Sequence, residues 1–128
     1  MDYSDLLKVP WKEGGRDLNG LDCWGLCLEV CRREGIPLPQ VDTPQDLAGL
    51  SELILKMSTD FEILWNPEPF CLVGIKSKGR FVDHVGVVLE DCQRFIHCSR
   101  SRGSVAVERL DAPVWHRLIA GYYRWKNR

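Results

Sequence analysis

Long apolar runs are missing from this sequence. None approaches the ~18 residues of a membrane-spanning helix, so a helical membrane span is excluded. The opening residues, Met-Asp-Tyr-Ser-Asp-Leu-Leu-Lys, have neither a basic n-region nor a long hydrophobic h-region. The expectation is therefore no secretory signal and synthesis in the cytoplasm, with any later export by lysis or by incorporation into a particle. Charge of one sign is also scarce. The formal net charge is −1, which gives no electrostatic reason to expect nucleic acid or an acidic membrane as partner. No Cys-x-x-Cys pair occurs, and the six cysteines follow no zinc-ligand spacing. Repeats, low-complexity tracts and internal linkers are absent too, so residues 1–128 are expected to form one domain.

What is present is a helical half followed by a β half. Cys23 to about Glu34 forms a helix, with Leu26, Cys27, Val30 and Cys31 on its buried side. Gly35 is placed to end it at C′, and Pro37 follows where a helix cannot continue. Residues 1–18 read as a short helix capped by Ser4, then a loop through Gly14-Gly15. A second helix is expected over 43–57, with Thr43 as N-cap and Pro44 at N1. Strand patterns follow at Phe61–Trp65, Phe70–Lys76, Phe81–Leu89, Arg94–Ser99, Ser104–Leu110 and Leu118–Trp125. Lys78-Gly79 reads as a turn. The long apolar Phe81–Leu89 is expected at the centre of the sheet, and Leu118–Trp125 to close it. The fold class is α+β, helices packed on an antiparallel sheet.

The chemistry concentrates at Asn19-Gly20-Leu21-Asp22-Cys23-Trp24-Gly25. Asn-Gly is a turn dipeptide that tolerates positive φ. Asp22 is an N-cap able to accept the N–H of Trp24 or Gly25. Cys23 then occupies the first helical position, where the helix dipole favours a thiolate. His84 and His97 fall in strand-like segments suited to adjacent hairpin strands, ~4.8 Å apart. A helix-start thiol with two imidazoles is the material of a nucleophile, its base and a group that orients the base. Cys27, Cys31 and Cys71 read as small buried hydrophobes. Cys98 should face away from His97, and His116 reads as a surface or structural residue in a loop. The mechanism requires no metal and no cofactor.

The motifs Pro10-Trp11-x-x-Gly14-Gly15, Leu21-Asp22-Cys23-Trp24-Gly25-Leu26, Gly35-Ile36-Pro37-Leu38-Pro39, His84-Val85-Gly86-Val87-Val88 and Phe95-Ile96-His97-Cys98-Ser99 span most of the chain. Together they resemble the NlpC-type cell-wall peptidases (the NlpC and p-sixty family), which are compact papain-like cysteine peptidases. The resemblance implies Cys23 as nucleophile, His84 as general base and His97 as orienting residue. It implies hydrolysis of a peptide bond in the peptidoglycan stem peptide. Trp11, Asp22 and Trp24 are the substrate-binding positions it marks. Trp11 stands where the family commonly has Tyr, Trp24 where Ser is common, and Pro67-Glu68-Pro69-Phe70 where a Gly-Asp pair is usual. These departures, with the closing Gly121-Tyr122-Tyr123-Arg124, resemble members from phage tail gene clusters and imply phage tail proteins as partners. A catalytically silent tail component, or a related thiol amidase or acyltransferase, is the alternative reading.

Overall fold

The computed structural model describes residues 2–43, 52, 55, 58–78 and 81–126. The expected 43–57 helix lies outside the described residues except for Thr43, Glu52 and Leu55, as does Gly79 of the expected turn. Among the described residues, two-residue strands β1 (Arg16–Asp17) and β2 (Gly20–Leu21) precede helix α1 (Cys23–Arg33). Strands β3 (Phe61–Leu64), β4 (Leu72–Ile75), β5 (His84–Val88), β6 (Arg94–Cys98) and β7 (Val105–Arg109) follow. A one-turn helix, α2 (Pro113–His116), then leads into β8 (Ile119–Trp125).

Helix α1 is fixed at both ends by the residues that the sequence marks. Asp22 sits in extended backbone and its side chain accepts from Gly25 N at 2.7 Å. At the other end Gly35 adopts φ +76°. Its N–H donates to Arg32 O, while Ile36 N–H donates to Cys31 O at 2.8 Å. That pair of bonds is a Schellman closure, and it needs a residue without the Cβ penalty at positive φ.

The large sheet is antiparallel in the order β3-β8-β4-β5-β6-β7. Its two faces are filled by alternate residues. Val85, Val87, Leu89, Ile96, Cys98 and Val105 join Leu26, Cys27, Val30 and Cys31 of α1 in one core. Val73, Ile75, Val88, Phe95 and Leu110 form a second core with Trp115 and Leu118 packed against it. Burial on both faces is why β5 reads as a continuous apolar run.

Four local expectations are corrected. Residues 4–8 form turns rather than a capped helix; Asp2 Oδ1 accepts Ser4 N, and Lys8 takes φ +72°. The Asn19-Gly20 segment turns as the β1–β2 hairpin without positive φ at either residue. Glycine is needed nearby for closeness instead, since a Cβ on Gly25 would collide with Gly15 O. Finally, β8 does not end at an edge: it inserts between β3 and β4, leaving β3 and β7 as the edges. The residues after Pro113, expected as loop, form α2 because proline suits the first helical position.

Candidate active site

Cys23 is the first residue of α1 and is 8% exposed. Its position comes from the hairpin before it. Leu21 N donates to Pro10 O and Lys12 N to Leu21 O, while Arg16 holds the cap. The Arg16 guanidinium donates to Asp22 Oδ1 at 2.6 Å and to Gly15 O at 2.9 Å. Its other nitrogen reaches Val41 O and Thr43 Oγ1. Asp22 is buried, and its Oδ2 has no hydrogen-bond partner among the described residues.

The sulfur of Cys23 enters the sheet where two strands part. The β5–β6 pairing includes Val87↔Ile96 and stops there. The bond from Leu89 N to Arg94 O fixes which amides of β5 point toward β6. By that alternation the next such amide belongs to Val85. It is directed at the Cys23 sulfur instead of at β6. The thiol therefore lies against the peptide that follows His84. Asp83 secures that point from the other side, because its carboxylate accepts from Ser77 N, Ser77 Oγ and Lys78 N.

His84 and His97 share one sheet face as diagonal neighbours on β5 and β6. His84 Nε2 lies 2.8 Å from His97 Nδ1. Gly86 makes room for this, since a Cβ there would crowd His97 Cβ and Ile96 O. His97 continues the chain outward: its Nε2 is 3.0 Å from Glu108 Oε2 on β7. Arg102 donates to both oxygens of Glu108, at 2.8 and 3.1 Å. His97 is 0% exposed, with the rings of Phe95 and Trp115 each 4.9 Å away.

Burial dominates the electrostatics. It pushes the Cys23 thiol up to about 12, with the Asp22 charge adding to the effect and the Val85 and Trp24 N–H groups opposing it. His84 is pushed down to about 3, first by burial and then by His97. Burial also lowers His97, against the raising influence of Glu108. Burial thus favours the neutral thiol at Cys23, which lies against the Val85 amide, and the neutral imidazole at His84, which is held by His97. This corrects the expectation of a dipole-stabilised thiolate: one helix end does not offset desolvation of a charge on a nearly inaccessible sulfur.

The other expected residues divide. Trp24 is buried and its indole N–H donates to Pro39 O at 3.0 Å, so it fastens the segment after α1. Trp11 is half-buried beside Leu21, with the Arg100 guanidinium 5.4 Å from its ring centre. Cys27, Cys31 and Cys71 are buried. Cys98 faces the α1 core, donating to Leu21 O at 3.1 Å, while His97 faces the other way. His116 is exposed at the end of α2. The sequence reading missed Arg16, Arg102, Glu108 and Trp115. Only Glu108 left a signal, as an acid at an alternate position of the strand expected beside His97.

The comparisons agree with this architecture. The NlpC/P60 family model matches residues 8–124. A crystal structure described as similar to lipoprotein, NLP/P60 family, from Staphylococcus aureus subsp. aureus Mu50 superposes with TM-score 0.62 at 19% identity. It covers 94% of this chain and 37% of that one. An NlpC/P60 family protein from Bacillus cereus ATCC 10987 gives TM-score 0.58 at 21% identity, covering 94% and 36%. The chain therefore spans little more than a third of the length of either. None of the curated proteins matches it. With the family model matched over nearly its whole length and the fold shared with both structures, the chain belongs to the NlpC/P60 family.

Proposed function

We propose that this domain is a cysteine peptidase that hydrolyses amide bonds in peptidoglycan stem peptides. The observation that carries the reading is the bond of 2.8 Å between His84 Nε2 and His97 Nδ1, next to a helix-start thiol seated on the Val85 amide. In this reading Cys23 is the nucleophile, His84 the general base and His97 the residue that orients it. Because both partners rest neutral, the thiol proton passes to His84 as the sulfur attacks the carbonyl, and no standing ion pair is needed. The oxyanion is met by the Cys23 backbone N–H at the start of α1. Protonated His84 then protonates the leaving amine, and water releases the acyl group. Trp11, half-buried with the Arg100 guanidinium over its ring, is the side chain offered to substrate, while the buried Asp22 serves the site through its cap on α1.

The finer reading is an endopeptidase associated with a phage or prophage tail, with tail proteins as partners. Trp11, Trp24 and the closing Gly121-Tyr122-Tyr123-Arg124 support it. A second reading, a tail component without turnover, is favoured by the low exposure of Cys23 and His84, 8% each. Incubation with purified muropeptides, beside the Cys23→Ser variant, separates the two. The peptidase reading expects mass-spectrometric products that lose a stem-peptide fragment with wild type only. Intact muropeptides in both samples would leave the silent component.

A further inference from the structure

The hydrogen-bond chain continues past His97, and its last member sets the direction of all the others. We propose that Glu108, clamped by Arg102, is a positioning residue that fixes both histidine tautomers and so makes Nδ1 of His84 the nitrogen that takes the Cys23 proton. The inference deepens the peptidase reading and rests on it for the reaction; the tautomers follow from geometry.

Glu108 pairs across from Phe95 on the neighbouring strand, and so lies on the same sheet face as Phe95 and His97. Its Oε2 is shared by His97 Nε2 at 3.0 Å and Arg102 Nε at 2.8 Å, while Arg102 also donates to Oε1. An ionised carboxylate only accepts. His97 Nε2 must then carry a proton. Neutral His97 consequently has its lone pair on Nδ1. That lone pair faces His84 Nε2 at 2.8 Å, and two lone pairs do not bond, so His84 Nε2 carries the proton there. His84 is left with a lone pair on Nδ1, the form required of a base.

The reverse direction shows why the carboxylate matters. Two histidines alone are equally satisfied if His97 Nδ1–H donates to His84 Nε2. Neutral His84 would then hold its proton on Nδ1 and have no free lone pair with which to accept another from the thiol. Without Glu108 nothing in the pair chooses between these states. Trp115 and Phe95 enclose His97, which has no exposed surface through which water might supply a competing partner. Once the thiol proton reaches His84 Nδ1, the imidazolium keeps its Nε2–H bond. Its charge is compensated through His97 by Glu108. The charged groups facing the histidine pair are thus Glu108 on β7 and Arg102 from the β6–β7 turn.

The test is nitrogen NMR of the histidine-labelled 128-residue chain at pH 7, with muropeptide kinetics on the same samples. Wild type should show His97 and His84 both protonated at Nε2 and bare at Nδ1. In Glu108→Ala both rings should move to mixed or reversed tautomers, and kcat should fall about tenfold to hundredfold with KM little changed. Glu108→Gln, which still offers an oxygen to His97, should retain the wild-type tautomers and most of the rate. Arg102→Ala should fall between the two variants. A wild-type His97 protonated at Nδ1, or unchanged tautomers in Glu108→Ala, would overturn the proposal. Should Glu108→Ala fail to fold, the wild-type tautomers and Arg102→Ala still decide it. Correct tautomers without cleavage of any muropeptide would leave the relay standing and remove the peptidase reading instead.

Discussion

Two places in the sheet hold the same kinds of side chain and put them to different use. At the β6–β7 end, Glu108 and Arg102 pair beside Trp115 and terminate on a buried His97. At the opposite edge, Arg124 on β8 pairs with Glu62 on β3 at 2.6 Å and with Glu68, in the β3–β4 connection, at 2.8 Å, and the same two strands carry the Phe61–Trp125 ring contact. Arg124 and its two partners are all a third or more exposed, while Glu108 is 12% exposed and His97 has no exposed surface. Exposed pairs of the first kind contribute roughly 0–1 kcal/mol and are screened by salt. The same pair at the other end has a buried hydrogen-bond partner, so its orientation is transmitted inward. Burial of the neighbour, rather than the ion pair, distinguishes the two.

The contrast is sharpest in variants of His97. Its two bonds make it the link between the buried pair and Glu108. His97→Ala should lower kcat by on the order of a hundredfold or more. His97→Asn still offers a carbonyl oxygen to the His84 Nε2–H and should lose about tenfold less than the alanine variant. Equal losses in muropeptide kinetics would remove His97 from the orienting role.

Next in size is the packing under the site. Leu26 is fully buried between α1 and the sheet, and Leu26→Ala should cost about 2–5 kcal/mol in denaturant unfolding. A cost below ~1 kcal/mol would mean that α1 is not seated as described.

The buried histidines also give this end a pH dependence that the other edge lacks. His84 is lowered from 6.5 in the unfolded chain to about 3 in the folded one. The unfolded state then binds more protons between those values. The stability due to a neutral, buried His84 is full above about 6.5 and is lost as pH falls toward 3, by on the order of a few kcal/mol. Urea midpoints measured from pH 7 to 4 should fall less steeply in His84→Gln than in wild type. Parallel slopes would show that His84 charges freely in the folded state. Smallest of all, Arg124→Ala should shift stability by less than about 1 kcal/mol and leave activity unchanged. A larger effect would erase the distinction between the two ends.

Most of the fold was legible because it rests on local signals. The Asp22 cap, the Gly35 stop and the period of Leu26, Cys27, Val30 and Cys31 define α1 from within a dozen residues. All six expected strands appear, each trimmed at one or both ends. Cys23, His84 and His97 were also legible, from a helix start and two strand contexts. What the sequence hid depends on partners far along the chain. The place of β8 between β3 and β4 is a matter of pairing, which its own residues do not encode. Arg16 bonds to Val41 and Thr43, and Trp115 packs on His97 from a one-turn helix. The neutral state of Cys23 was misread because the dipole is visible in sequence while the covering β5 and β6 strands are not.

The central claim is that Cys23, alone among six cysteines, attacks the substrate carbonyl with His84 as its base. Rapid acid quenching of the protein during muropeptide turnover, followed by peptide mapping, tests it most directly. An acyl adduct should map to the peptide containing Cys23, be absent in Cys23→Ser, and form more slowly in His84→Ala. Products released with no adduct on Cys23, or an adduct on the half-exposed Cys92, would contradict it.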